Sequence, residues 1–314
     1  MEYICGITFA PFAGRGRFAT AEAKESLVKA KERTAANFVI FVPGGIQQTA
    51  QSEEISYTTS ATMADGELEE MIAYARSLGF WVALKPTVNC ADGTWRAHIH
   101  FFDEDVPCEP KWGNWFASYT KFQLHYADIA QRCGCEMFLP GCEMVMSERR
   151  EKEWRALIAE IRNVYHGLIS YNTDKYQEHR VKWWDAVDVI SSSGYYPIHD
   201  WENQLDRIEA VVEHFQKPFF FAEAGCMSVT GSSAVPNNWE IQGEAALQEQ
   251  ADWYETMLAA CEKRSWVQGM AFWSWGGELY PKEQAALRRD YEIYGKPAEK
   301  VVSSWYRRRQ NKGK

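Results

Sequence analysis

The sequence lacks the patterns that mark several large classes of protein. It contains no run of about 18 apolar residues, so no membrane-spanning helix is expected. No strand-like segment is followed by a G-x-G-x-x-G or P-loop pattern, so the usual nucleotide-binding signals are missing. Acidic residues outnumber basic ones, 43 to 34, and the net charge of −9 argues against nucleic acid or an anionic membrane as the main partner.

The chain also shows no sign of an oxidising or secreted environment. Its first residues, MEYICGITFAPF, have neither the basic segment nor the long apolar stretch of a secretion signal. Eight cysteines at irregular spacing fit reduced thiols. The C-x-C pair of Cys133 and Cys135 has no C-x-x-C partner, so no zinc site is predicted. We therefore expect a cytoplasmic protein.

The sequence does contain a regular alternation of apolar and amphipathic segments. Eight strand-like runs occupy residues 3–9, 37–43, 80–88, 136–143, 168–172, 187–196, 218–223 and 267–276. They are almost continuously apolar, as expected of strands buried on both faces of a parallel sheet. Helical patterns lie between them at residues 21–33, 65–79, 114–134, 149–167, 176–184, 203–216 and 246–263.

Eight strands alternating with helices predict an α/β fold, a (β/α)8 TIM barrel. The 314 residues exceed a typical single core, but barrels of this kind form one domain at this length. We place the barrel domain at residues 1–306. Residues 307–314, RRRQNKGK, read as a basic and disordered tail.

Two carboxylates stand at the ends of predicted strands. Glu223 ends the seventh, in PFFFAE, and Glu143 ends the fourth, in FLPGCE. A charge beside such apolar residues is costly to bury, which favours a functional reason for its presence. Barrel enzymes place their catalytic groups at the C-terminal ends of the strands, where the loops of this sequence are long and rich in aromatic residues and glycine.

Paired carboxylates on separate strands suit glycoside hydrolysis, in which one acid protonates the leaving oxygen and the other group acts at the anomeric carbon. A separation of about 5–5.5 Å would indicate retention of configuration, and about 6.5–9.5 Å inversion. A structural salt bridge is the alternative for each residue. Glu148 is the nearest rival to Glu143, but we assign it to the first turn of the following helix.

Several segments, taken in order, resemble glycoside hydrolase family 113, the β-mannanases, within the wider clan of retaining (β/α)8 hydrolases. They are ALKPTVNCADGTWRAHI, GCEMVMSERREKEWRALIAEIRNVY, SSSGYYPI, PFFFAEAGC and MAFWSW. The resemblance implies that Glu143 is the general acid/base and Glu223 the nucleophile. The wider clan often has Asn before the acid/base. Here Cys142 takes that place and cannot make the same bond to the sugar 2-hydroxyl.

Four aromatic residues at strand ends are candidates for orienting Glu223 or for binding the sugar. Tyr195 and Tyr196 end the sixth strand, and either could donate its hydroxyl to Glu223. Trp273 and Trp275 end the eighth strand and, being two residues apart, should share one face. One of the two is expected to form the floor under the sugar at the cleavage point.

Polar candidates lie at other strand ends and in the loop after the third strand. Lys85, Asn89 and Arg96 are expected to hydrogen-bond sugar hydroxyls, and Trp95 offers a further platform for a ring. Asn172, at the end of the fifth strand, is another candidate.

The same loop contains His98, His100 and acidic residues at 103–105, from which a metal site can be drawn. A solvated loop is the simpler interpretation, and no metal or other cofactor is predicted because the proposed chemistry needs none.

The sequence thus predicts a retaining hydrolase of β-1,4-mannosidic linkages whose partner is a β-linked oligosaccharide or polysaccharide. One alternative is the same machinery on another β-glycoside, as an exo-β-mannosidase, a β-glucosidase or an amino-sugar hydrolase. A second is a non-catalytic carbohydrate-binding barrel. A third is an aldolase or lyase that uses Lys85 to form a Schiff base.

Overall fold

The computed structural model describes residues 2–312. Its strands are β1 (Ile4–Phe9), β2 (Phe38–Phe41), β3 (Gly44–Gln47), β4 (Trp81–Leu84), β5 (Thr87–Cys90), β6 (Met137–Phe138), β7 (Leu168–Thr173), β8 (Val189–Ser193), β9 (Phe219–Glu223) and β10 (Val267–Trp275). Eight of them, all but β3 and β5, pair in parallel and close into a barrel, β1 returning to β10. The predicted (β/α)8 barrel is confirmed.

Within residues 2–312, seven α-helices surround the barrel. They are α1 (Ala21–Thr34), α2 (Asp65–Ser77), α3 (Trp112–Cys133), α4 (Glu151–Val164), α5 (Trp201–Phe215), α6 (Leu247–Glu262) and α7 (Pro297–Lys312). Each turns an apolar stripe toward the strands, and the large core between the two layers is rich in aromatic side chains.

The inside of the barrel is apolar at its base and polar at its top. Its lower layers hold a separate cluster that includes Phe38, Leu139 and Phe220. Nearer the C-terminal ends of the strands the inward side chains become polar, with Lys85 and Asn172 fully buried. A buried lysine is tolerated only when it is paired, so this polar layer points to a site.

The third predicted strand is divided in two. The chain pairs in the barrel as β4, passes through Lys85 and Pro86, and then pairs again as β5 with β3 in a small parallel sheet. This second sheet lies outside the barrel, and it sets the start of the long loop that carries Trp95 and Arg96.

The helix predicted at residues 176–184 is wrong. That segment consists of turns, followed by a short 3-10 turn at Trp184–Ala186. The Trp183 indole donates to the Glu148 carbonyl at 3.0 Å, and Trp184 donates to the Glu178 carbonyl at 2.8 Å. Burial of these two large rings decides the path of the chain over the local helical pattern.

The disordered tail predicted from residue 307 is also wrong over residues 307–312, which continue α7. The Arg309 guanidinium lies 4.8 Å from the Tyr3 ring centroid and 4.7 Å from that of Trp305, contacts that hold the basic end on the barrel. Gly313 and Lys314 fall outside the described residues. Within residues 2–312, no helix has both the length and the apolar character to cross a membrane.

Candidate active site

The two predicted carboxylates meet at the top of the barrel. Glu223 is the last residue of β9, and Glu143 lies five residues beyond the short strand β6. The Glu143 amide donates to the Asn172 carbonyl at 2.7 Å, and Glu143 adopts a left-handed backbone with φ of 54°. Few residues other than glycine take this conformation without cost, and such strain is concentrated at functional positions.

Glu223 is surrounded by three hydrogen-bond donors. Its Oε1 accepts from the Lys85 ammonium and from the Cys142 thiol, the latter at 3.2 Å. Its Oε2 accepts from the Tyr195 hydroxyl at 3.1 Å. Burial by itself would raise the pKa of Glu223, but the charge and hydrogen bond of Lys85, together with the Arg96 charge and the Cys142 hydrogen bond, outweigh it and hold the pKa below its usual range. Glu223 is therefore a carboxylate at neutral pH.

Glu143 has a different set of donors. The Ser193 hydroxyl donates to its Oε1 at 2.8 Å. Its Oε2 accepts from the Trp95 indole at 3.3 Å and from the Arg96 guanidinium at 3.2 Å. Trp95 and Arg96, both expected to bind sugar, thus hold a catalytic candidate directly, and they reach it from the loop after β5.

A continuous chain of hydrogen bonds joins the two carboxylates beneath the site. Lys85, paired with Glu223, also donates to the Asn172 side-chain oxygen at 3.0 Å. The Asn172 amide donates to the Ser193 hydroxyl at 3.0 Å, and Ser193 in turn donates to Glu143. Every member of this chain is buried, so the relative position of the carboxylates is fixed by the barrel wall.

Above the carboxylates opens a cleft of about 650 Å³. Its aromatic lining consists of Phe12, Trp95, Tyr195, Trp239, Trp273 and Tyr291. Flat apolar faces beside hydrogen-bonding groups are what a sugar ring requires.

Two of the aromatic candidates do not reach this cleft. Tyr196 is buried on the outer side of β8, where its hydroxyl donates to Glu178 and accepts from Arg207. Trp275 is also buried, and its indole donates to the Ser26 hydroxyl at 3.1 Å. Pairing between β1 and β10 shifts by one residue between Trp273 and Trp275, which breaks the two-residue period and turns Trp275 outward.

The polar candidates divide in the same way. Lys85 and Asn172 do not line the cleft, in contrast to the prediction that they bind sugar. Lys85 pairs with Glu223, and the Asn172 side chain bonds Lys85 and Ser193 beneath the carboxylates. Burial of Lys85 against Glu223 also contradicts a Schiff-base role. Asn89 and Cys142 do line the cleft, and the Asn89 side-chain oxygen accepts from Arg96 at 2.7 Å.

Sequence reasoning missed several residues of the site. Ser193 gave no signal among three consecutive serines, although it is the last residue of the buried strand β8. Asp174 follows β7 and lines the cleft, with both carboxylate oxygens 3.4 Å from the Lys175 ammonium. Burial, with the negative charge of Glu143, raises the pKa of Asp174 to about 7. A search for every acidic residue just after a strand would have found it.

The sequence suggested that Glu148 lies in the first turn of the helix α4, but the structure shows that it does not. It is buried before the start of α4, where Tyr171 and Thr173 donate to its Oε1 at 2.9 Å and 2.6 Å. Burial raises the pKa of Glu148 to about 8. It lies outside the lining of the cleft.

One group of side chains at the site has the spacing of metal ligands. The Cys142 sulfur and one oxygen each of Glu143 and Glu223 lie within 4.8 Å of one another. Each carboxylate already pairs with a cation, so we assign no metal here. Among residues 2–312, the His98, His100 and 103–105 group does not come together as a ligand set.

Comparison with known proteins agrees with this geometry. A model of glycoside hydrolase family 113 matches residues 7–296. A solved complex of a family 113 β-1,4-mannanase is 55% identical, with a TM-score of 0.97, and the match covers 98% of this chain and 99% of that one. The family 113 β-mannanase of Alicyclobacillus acidocaldarius, solved with ManMIm, is 42% identical, with a TM-score of 0.95 and 98% of both chains covered.

More distant structures share the fold alone. A β-glucuronidase from Ruminococcus gnavus is 13% identical with a TM-score of 0.66, and the match covers 97% of this chain and 50% of that one. Comparison with curated protein sequences gives no match.

The family match spans most of the chain, and the relatives are alike over almost their whole length. This match excludes two of the alternatives, a non-catalytic carbohydrate-binding barrel and an aldolase or lyase. The chain is a glycoside hydrolase and belongs to glycoside hydrolase family 113.

Proposed function

We propose that the protein is a retaining β-1,4-mannanase with Glu223 as nucleophile and Glu143 as general acid/base. The observation that carries this proposal is the carboxylate pair itself, whose nearest oxygens lie within 4.8 Å. Such a spacing suits direct attack by one carboxylate, because an inverting enzyme needs about 6.5–9.5 Å to admit a water. The sugar class is supported by the relatives described as β-1,4-mannanase and β-mannanase.

In the first step, Glu223 attacks the anomeric carbon and forms a covalent glycosyl ester. The bond to the glycosidic oxygen breaks, and that oxygen takes the proton of Glu143 and leaves as a hydroxyl. Lys85, Cys142 and Tyr195 support this step because they keep Glu223 ionised and fix its direction.

In the second step, Glu143 acts as a carboxylate base. It removes a proton from a water, the resulting oxygen attacks the anomeric carbon, and the ester bond to Glu223 breaks. The donors Ser193, Trp95 and Arg96 suit the charged form of Glu143 that this step requires. Two displacements at one carbon return the original β configuration.

The experiment that tests the proposal is product analysis with β-1,4-manno-oligosaccharides and cello-oligosaccharides of matched length. We expect the wild type to cleave the mannose series and to release a β-anomer first. Glu223→Ala should lose this activity, whereas Glu255→Ala, which removes an exposed carboxylate on α6, should retain it. Cleavage of the cellulose series alone would transfer the mechanism to another β-glycoside. Cleavage of neither series by folded enzyme would contradict the proposed substrate.

Rescue by azide then separates the two carboxylates. With an activated aryl β-mannoside, Glu223→Ala plus azide should give the α-azide, because azide replaces the missing nucleophile. Glu143→Ala plus azide should give the β-azide, because azide then attacks the intact ester on Glu223. The opposite pair of products would reverse the two roles.

We further propose that the enzyme works in a reducing compartment such as the cytoplasm, on oligosaccharides rather than on polymer outside the cell. All eight cysteines are free thiols, and six of them are buried, Cys5, Cys90, Cys135, Cys142, Cys226 and Cys261. Fractionation of the native host tests this proposal, and recovery of the protein mainly from the culture medium would contradict it.

A further inference from the structure

Tyr291 lies in the loop between β10 and α7, lines the cleft, and has no part in the two steps above. Its ring packs edge-on against Tyr195, with the ring centroids 5.9 Å apart. Its hydroxyl donates to the Pro236 carbonyl at 2.6 Å. Tyr291 therefore contacts both the residue that holds Glu223 and a distant loop.

That loop follows β9, and its base is well fixed. Val229 and Ala245 pair as an antiparallel bridge. At the start of α6, the Glu249 carboxylate accepts from the amides of Gly231 and Ser233 at 3.0 Å and 2.9 Å. The base is therefore held by contacts that do not involve the tip.

The tip of the loop, Asn237 to Glu240, lines the cleft, and we call it the rim segment. Trp239 is 58% exposed, and its ring meets that of Trp95 at 6.1 Å between centroids. Trp95 donates to Glu143, so the rim segment covers the acid/base side of the cleft. Across residues 2–312, the bond from Tyr291 to Pro236 is the hydrogen bond that ties residues 235–240 to a side chain outside the loop.

The Tyr291 ring is closely packed on the chain that follows β9. A Cβ added at Gly225 would lie 3.1 Å from its Cδ1, so the ring packs directly on the backbone that follows Glu223 by two residues. Burial raises the pKa of Tyr291, so its hydroxyl keeps its proton and remains a donor throughout the working pH range.

We propose that Tyr291 is a positioning residue that couples the nucleophile side of the cleft to the rim segment over the acid/base. The Tyr291 ring supports Tyr195, while the Tyr291 hydroxyl fixes the position of the rim segment relative to the substrate. The effect on substrate rests on the proposed function; the effect on the loop does not. Because the rim contacts substrate rather than the reacting atoms, Tyr291 acts on substrate binding.

The test is Tyr291→Phe, which keeps the ring and removes the hydroxyl. The matched control is Tyr280→Phe, since the Tyr280 hydroxyl also donates to a backbone carbonyl, that of Tyr294, in the same loop and away from the cleft. We expect amide hydrogen exchange at residues 237–241 to accelerate about fivefold, the factor that corresponds to one typical hydrogen bond. Exchange in β7 should not change, and the control should leave residues 237–241 as in the wild type.

Kinetics with β-1,4-mannotetraose give the second measurement. Tyr291→Phe should raise KM about fivefold and leave kcat within twofold, whereas Tyr280→Phe should leave both unchanged. Unchanged exchange at residues 237–241 would overturn the proposal, and so would a fall in kcat at constant KM. Faster exchange in an enzyme without activity on mannotetraose would support the link to the rim and contradict the proposed substrate instead.

Discussion

The pairing of Lys85 with Glu223 decides the charge state of the site. Both groups are buried at the top of the barrel, where a lone charge of either sign would be costly. The paired Lys85 keeps Glu223, the proposed nucleophile, ionised. It also bonds Asn172, through which Glu223 is linked to the proposed acid/base, Glu143. A lysine at the end of an apolar strand therefore works here through another residue, not through the substrate.

Lys85→Met should move the acidic limb of activity to higher pH. Burial raises the pKa of Glu223, and without the lysine charge that lowers it, Glu223 takes up a proton at mildly acidic pH and cannot attack. We expect kcat/KM at pH 5 to fall at least about 100-fold, with a smaller loss at pH 8, as measured by a full profile of kcat/KM against pH. A profile of unchanged shape in a folded variant would show that Lys85 does not control this charge.

At the scale of elements, the chain just beyond β9 approaches β10 so closely behind the site that only glycine fits there. A Cβ at Gly225 would lie 2.6 Å from the Trp273 carbonyl oxygen, which is backbone and cannot rotate away. This contact sets where Glu223 stands relative to Trp273, which lines the cleft.

Gly225→Ala should lower the free energy of unfolding by about 1–3 kcal/mol and reduce activity, because β9 and β10 must separate to admit the methyl group. Gly66→Ala is the matched control. Gly66 lies in α2 with nothing within 4 Å of the added Cβ, so alanine there should stabilise by about 0.5–1 kcal/mol. Denaturant unfolding of both variants measures the two changes in the free energy of unfolding. Changes of the same sign would contradict a close backbone contact at Gly225.

At the scale of the whole molecule, buried carboxyls make stability depend on pH. Burial raises the pKa of Glu148 to about 8 and of Glu292 to about 7, above the usual value of 4.5. The folded state therefore holds protons that the unfolded state has released. The contribution of these two carboxyls to the stability of the fold is fully present below about pH 4.5, and it is lost as the pH rises toward 8.

Glu148→Gln should flatten this dependence. The amide oxygen can still accept from Tyr171 and Thr173, but the side chain no longer ionises. Relative to the wild type, the variant should gain stability between pH 5 and pH 8, by about 3 kcal/mol at most. Thermal unfolding at the two pH values measures the change, with Glu255→Gln on exposed α6 surface as the control. An equal shift of Tm at both pH values would rule out linkage to Glu148.

The sequence alone was sufficient to predict the order of the eight barrel strands and to single out Glu143 and Glu223 at the strand ends. Apolar runs and helical periods are local, and a carboxylate at the end of an apolar run shows in the chain itself. Local patterns also misled: the apparent helix at residues 176–184 gave way to the burial of Trp183 and Trp184. A tertiary contact is worth more than helix propensity over a few residues.

Only the tertiary structure decided which candidates meet. Tyr195 and Tyr196 are neighbours in sequence, yet the barrel wall places one hydroxyl on Glu223 and the other on Glu178. Ser193 and Tyr291 joined the site through partners 50 and 55 residues away, which no local pattern records. Closure of the barrel sets these distances, because it fixes the direction of each strand-end side chain relative to seven other strands.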